Sequence, residues 1–364
     1  MVMTSKKRVM CAIGLETPDR IPLDFGANPA TLERLKNNLQ VSGHADLLKA
    51  LHVDIVDLRG VVDPVYVGPV PKVRDLGQGV KENFWGMRTT VKQSITGPEE
   101  MYCDFILQKA ESLEELEAYR WPEVDWFDFS DFKNRLRCWQ DFAVMASGVS
   151  IWQHATFLRS LDVLLMDLIS RPEIGEYLID KFTNFYLTYF DKMFSEANGM
   201  IDILRIADDI GMQNGLLIGP NIFIKFLAPR IKKFVDMAHS YGIKVMFHSC
   251  GSIVPLIDKL IEMEIDILDP LQVTAKDMDP QFLKNTFGHR ICLHGSIDTQ
   301  YILPQGRVEE VIENVKTMIK ILGKDGGFIL APSHVLQTDV PMENVIAMYE
   351  TGFKFGDKFP TSGT

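Results

Sequence analysis

The chain has 364 residues, 46% of them hydrophobic, with a formal charge of -11 and a pI near 5.3. That length and composition bury a large core, argue against disorder, and suit one large α/β barrel or two mid-sized domains. The acidic balance argues against a nucleic-acid partner, because phosphate binding normally needs a basic face. No apolar run is long enough to cross a bilayer, and Met1 to Arg8 lacks the apolar core of a signal peptide. A cytoplasmic protein with no membrane partner is expected. The cysteines Cys11, Cys103, Cys138, Cys250 and Cys292 follow no framework spacing, which fits a reducing compartment.

In chain order, Ile21 to Asp24 and Asp54 to Leu58 are the first two predicted strands. Trp85, Gly86 and the alternation around Thr89 to Val91 predict an antiparallel hairpin inserted over about 84–108. A loop with Trp121, Pro122, Asp125 and Trp126 follows. Further strands are predicted over Phe142 to Ala146, Ile201 to Ile206, Ile243 to Phe247, Ile265 to Leu268, Arg290 to Leu293 and Gly327 to Leu330. Between and after them Ile253 to Met263, Val308 to Leu322 and Glu343 to Thr351 repeat apolar residues at helical steps. The pattern predicts an α/β fold, a single (β/α)8 TIM barrel spanning 1–364, with an N-terminal extension and the hairpin insertion. No low-complexity linker divides it.

Barrels of this kind carry their chemistry on the loops after the strands. His248 and Cys250 stand one residue apart at a strand end, where residues i and i+2 point to one face, so both can reach one ion. A thiolate beside an imidazole suits zinc, and His334 after the last strand is placed to complete three ligands with an open fourth position. The plainer reading is that His248 caps a loop, Cys250 packs as a small apolar residue and His334 bonds a helix end. Asp208 and Asp209 are candidate acid, base or ring-orienting groups, weighed equally against a role at a helix N-terminus. Gln213, Asp269 and Gln272 lie on the same set of loops as candidate substrate-binding residues. His294, near Asp298, is a further candidate, with a satisfied structural histidine as its counter-reading. His154 and Arg159 follow the strand that ends near Gly148, in the site or supporting it. His44, His52, His239 and His289 are expected on the surface or in packing.

Several segments resemble the uroporphyrinogen decarboxylase superfamily: Thr17 to Pro22, Gly148 to Ser160, Asp208 to Gln213, His248-Ser249-Cys250-Gly251, Gly295 to Asp298 and Gly326 to Asn344. The resemblance covers nearly the whole chain in the right order and implies the barrel. The superfamily includes decarboxylases of haem synthesis and zinc methyltransferases that take a methyl group from a methylated corrinoid protein. The decarboxylases carry arginines near the first strand, where this chain reads Leu23-Asp24-Phe25-Gly26-Ala27-Asn28. Thr156 stands where they have a tyrosine, and Asp209 falls near their serine. Carboxylates in those places would repel a polyanionic porphyrinogen.

The methyltransferase branch has a His-X-Cys after the fifth strand, as here, and a cysteine after the eighth, where this chain has His334. The resemblance therefore implies zinc on His248, Cys250 and His334, methylcobalamin as the donor on a corrinoid-protein partner, and tetrahydrofolate or a thiol as the small-molecule acceptor. Asp208 or Asp209 would orient a pterin ring. Two alternatives are carried: a decarboxylase or lyase acting on a small carboxylate without metal, and a corrinoid- or pterin-binding barrel that has lost catalysis. The acceptor, the upstream methylated substrate and the oligomeric state, including a homodimer, stay open.

Overall fold

The computed structural model describes residues 2–94 and 97–356. Seven parallel strands hydrogen-bond in chain order: β1 (Ile55–Asp57), β2 (Ala143–Val149), β3 (Ile203–Ala207), β4 (Lys244–His248), β5 (Ile267–Leu271), β6 (Cys292–Ile297) and β7 (Phe328–Pro332). The sheet curls, with helices against its outer face. Each strand overlaps a predicted one. Observed strands begin one or two residues late and mostly run further, onto the loops that carry the polar candidates.

The remaining predicted strand, Ile21 to Asp24, is reduced to a single bridge, Leu23 paired in parallel with Leu330. Its bonds still reach both edges of the sheet. Leu330 N–H donates to Pro22 O at 2.9 Å, Asp24 N–H to Leu330 O at 3.0 Å, and Asp54 N–H, just before β1, to Leu23 O at 2.8 Å. Pro22 has no N–H to offer, which limits the ladder on that segment.

The two-residue side-chain period sorts the strands into two cores. Ile55, Met145, Ile203, Met246, Ile267, Cys292 and Ile329 form an inner cluster, while neighbours such as Leu204, Phe247, Leu268 and Leu330 belong to the outer core beneath the helices. Two residues further along each strand, the inner positions become Asp57, Ser147, Arg205, His248, Asp269, His294 and Ala331. The apolar plug is thus capped by a polar layer toward the strands' carboxyl ends. At the other end the helix Ser5–Ile13, N-capped by Thr4, presses Val9, Ala12 and Ile13 into the plug. Arg8 locks it in place, 2.7 Å from both Asp19 and Asp54.

Helix Val308–Leu322 has the predicted boundaries. It buries Val311, Val315, Met318, Ile319 and Leu322, which share one face at three- and four-residue steps, and the Glu310 carboxylate accepts from Arg307 N–H at its start. Ile253 to Met263 is observed as Val254–Glu262, and Glu343 to Thr351 as the longer Met342–Gly356.

The insertion is larger than predicted. It is a four-stranded antiparallel sheet, Val73–Gly77, Val80–Asn83, Arg88–Ser94 and Gly97–Cys103, beginning before Phe84. Its first two strands are mostly exposed and polar, so they carry little apolar alternation to betray them. Tyr102 ties the last strand to the main body by stacking on Phe157, centroids 3.5 Å apart. Arg159 plays no part in the cavity described below. Fully buried, it pairs with Asp167 at 2.8 Å and donates to the Leu107 and Ala110 carbonyls, joining the chain after the insertion to the helices that follow β2.

Candidate metal centre and cavity

Two loops are pressed together backbone to backbone at the ends of β3 and β4. Gly251 sits at φ +87, and a Cβ there would lie 2.6 Å from Met212 N; a Cβ on Gly211 would lie 2.5 Å from Cys250 O. Only glycine allows this approach and, at Gly251, this backbone. The contact brings Asp209 to Cys250, whose N–H donates to Asp209 Oδ1 at 2.8 Å. Ligand atoms of Asp209, His248 and Cys250 consequently lie within 4.8 Å of one another. Cys250 Sγ is 3.6 Å from His248 Nε2, and Asp209 Oδ1 is 3.7 Å from the same nitrogen.

The other ring nitrogen of His248 is anchored. Nδ1 lies 2.7 Å from Asp269 Oδ2 and 2.6 Å from Arg205 Nη2. Only one of these can be a hydrogen bond, and the carboxylate decides which. A bare lone pair at 2.7 Å from Asp269 Oδ2 would be repelled, so Nδ1 carries the proton and donates it. The Nε2 lone pair is left facing Cys250 and Asp209. A histidine held by a carboxylate through its outer nitrogen is the usual arrangement behind a metal-ligating imidazole.

Asp269 is the hub of the polar layer. Besides His248 it accepts from Arg205 Nε at 2.9 Å and His294 Nδ1 at 2.7 Å. Although burial opposes ionisation, Arg205, His248 and His294 together hold its carboxyl well below the usual range. His294 is bonded on both nitrogens, its Nε2 reaching Asp24 at 3.0 Å. Burial works against its charge, but the two carboxylates prevail and raise its pKa to about 9, so it is a buried imidazolium with no free nitrogen. The satisfied-histidine reading fits that geometry. Burial, with Asp209 and Asp269 close by, pushes the Cys250 thiol well up. That field disfavours an isolated thiolate and favours a cation. A carboxylate, an anchored imidazole and a thiol in surplus negative charge form a donor set that fits zinc.

The two neighbouring aspartates differ in role. Asp208 is fully buried and accepts from Ser150 Oγ and from the N–H groups of Ile151, Trp152 and Gln153 at 2.9 to 3.0 Å, at the start of helix Trp152–Arg159. Burial pushes its carboxyl up to about 7, against these donors. Asp209 turns the other way, toward the metal candidates, with Gln153 Nε2 donating to its second oxygen at 2.8 Å.

A cavity of about 830 Å³ opens over the polar layer, lined among others by Asp24, Arg205, His248, Asp269, His294 and His334. His334 thus shares the cavity wall with His248 but lies outside the 4.8 Å cluster; its Nδ1 is 3.2 Å from Val335 O. Gln213 and Gln272 form a bridge beside the cluster. Gln272 Oε1 accepts from Gly251 N–H at 2.7 Å, and its amide donates to Gln213 at 3.0 Å. His154 is turned away onto the Tyr186 hydroxyl at 2.7 Å, where burial lowers its pKa to about 3. Sequence reasoning missed Arg205, Gln153 and Arg59, all of which line the cavity. Arg205 left a signal: a cation inside the apolar strand Ile203-Leu204-Arg205-Ile206, in phase with inward-facing Ile203.

A family model described as uroporphyrinogen decarboxylase (URO-D) matches residues 135–354, well over half of the chain. The chain belongs to the uroporphyrinogen decarboxylase family. The matched region holds β2 to β7 and every member of the candidate metal cluster. Among solved structures, a methyltransferase from Methanosarcina mazei superposes with a TM-score of 0.69 at 17% identity, covering 97% of this chain and 99% of that one. At that identity the likeness is one of fold. The IOLI protein with a zinc atom bound gives a TM-score of 0.37 at 14% identity over 68% of this chain and 85% of its own, too little to argue from. No curated protein sequence matches. No helix among the described residues is long and apolar enough to cross a membrane.

Proposed function

We propose that this family member is a zinc-dependent methyltransferase, a single (β/α)8 barrel closed through the Leu23 segment, that moves a methyl group from a methylated corrinoid protein to tetrahydrofolate or a thiol. One observation carries the reading. His248 is locked by Asp269 so that Nε2 faces Cys250 and Asp209, an arrangement that metal ligation explains and porphyrinogen binding does not.

Asp209, His248 and Cys250 would hold the ion, with His334 on the cavity wall as the further donor that the family resemblance suggests. Bound there, zinc supplies Lewis acidity that brings an acceptor thiol or polarised ring nitrogen into reactive form near neutral pH. The chain's own groups do the rest. Asp269 holds the proton on His248 Nδ1 and fixes the ring. Gln153 and Cys250 N–H fix Asp209. Asp208 sets the position of the helix that carries Gln153. The Gln213 and Gln272 pair holds the loop of Gly251 and stands ready to bind acceptor, and His294 balances the buried charge of Asp24 and Asp269. The ring of loops at the barrel mouth is where the corrinoid partner would dock.

Mixing the zinc-loaded protein with methylcobalamin and either tetrahydrofolate or a thiol tests the assignment. The cobalamin spectrum is expected to change at a rate proportional to enzyme and dependent on acceptor. Full zinc occupancy with no acceptor-dependent change for either class would overturn the assignment.

A further inference from the structure

The cavity extends beyond what a metal cluster and a methyl group require. Its lining includes Phe25, Leu32, Leu48, Val61 and Trp139. These come from the segment after Leu23, the helices Pro29–Leu39 and His44–Ala50, the loop after β1 and the turn before β2, all remote in sheet order from the β4 strand that carries His248. One side of the cavity is therefore largely apolar and partly aromatic, although Lys36 and His44 of the same two helices also line it, and the other holds the polar layer. At about 830 Å³ it lies within the range of pockets that enclose a whole small molecule.

Of the two basic side chains on that side, Lys36 is paired with Glu33 at 2.9 Å. Arg59 lines the same cavity; its backbone N–H donates to Asp57, but among the described residues no hydrogen bond or ion pair holds its guanidinium. A planar guanidinium left open beside apolar walls matches a carboxylate, which it can bind through two parallel bonds. Aromatic walls such as Trp139 and Phe25 favour a flat ring over an equally apolar chain.

We propose that the cavity binds a small aromatic carboxylate, its ring in the apolar arm against Trp139 and its carboxylate on Arg59. The inference rests on the methyl-transfer reading for the chemistry done at the cluster, but the binding of the ring does not depend on zinc.

Calorimetric titration of the full-length protein with benzoate, acetate and anisole tests it, with zinc content measured in each sample. Benzoate is expected to bind at least about tenfold more tightly than acetate, which lacks the ring, or anisole, which lacks the anion. Leu32 is only half-buried, so Leu32→Trp fills the arm and should weaken benzoate about tenfold. Arg59→Gln should weaken benzoate by a similar factor and leave anisole unchanged. If Leu32→Trp melts early, Arg59→Gln decides alone. Acetate binding as tightly as benzoate, or Arg59→Gln binding benzoate like the wild type, overturns the proposal. Because the ring binds without zinc, zinc-free protein that still binds benzoate supports this proposal, while failure of the methylcobalamin assay would overturn the methyl-transfer reading alone.

Discussion

Cys250→Ser is expected to reduce zinc from about one ion per chain to a small fraction of that, and to abolish acceptor-dependent methyl transfer, while the protein stays folded. The thiol is the softest donor in the cluster, and a serine hydroxyl does not replace a thiolate for zinc at neutral pH. The fold should survive because Cys250 is anchored by its backbone, through Asp209, and not by its sulfur. His248→Ala should lose zinc similarly and should also leave Asp269 short of one partner. Elemental analysis beside a thermal melt reads both effects. A Cys250→Ser protein that retains full zinc and full turnover contradicts the assignment.

Asp269→Asn is expected to cost stability as well as metal. The carboxylate faces Arg205, His248 and His294, and its side chain is 4% exposed. Removing its charge leaves two buried cations short of an anion, for which roughly 3–5 kcal/mol of destabilisation in urea is expected. Loss of the anchor on His248 Nδ1 should weaken zinc binding by about 10- to 100-fold in addition.

The pH dependence follows from the directions of the shifts. Asp269 is depressed in the folded state, so its contribution is present above the ordinary carboxylate pKa and is lost as pH falls through the folded value. His294 is raised from 6.5 to about 9, so its contribution is full below 6.5 and is lost as pH rises through 9. The wild type should therefore lose stability between pH 6.5 and 9, and Asp269→Asn should flatten that slope. A variant within about 1 kcal/mol of wild type, with an unchanged slope, would show that the hub carries little energy.

The strands were legible because an apolar run between turn residues is a local signal, and seven of eight predicted strands form ladders. The Leu23 segment was legible as extended chain, and Pro22 is visible in the sequence, but the segment's pairing with both edges of the sheet is a tertiary fact. The exposed strand Val73–Gly77 and the polar strand Val80–Asn83 carry no regular apolar alternation, so the predicted insertion begins only at residue 84. At the site, the i, i+2 rule brings His248 and Cys250 together, and the structure adds Asp209 through the backbone contact of Gly211 with Gly251. Adjacent aspartates could not be told apart from sequence, because which one meets the helix and which one meets the metal candidates depends on a strand-end turn. Asp269 and His294 are legible as candidate substrate-binding residues, His294 with a structural histidine as its counter-reading, but not as a buried pair. Their mutual bonding depends on β5 and β6 lying side by side, and on the inward phase of Arg205 from β3, none of which spacing along the chain reveals.

Zinc K-edge absorption fine structure of the purified, zinc-loaded protein bears most directly on the central claim. One sulfur scatterer at about 2.3 Å together with nitrogen or oxygen scatterers near 2.0–2.2 Å is the result predicted. A shell of nitrogen and oxygen alone, unchanged in Cys250→Ser, would contradict it.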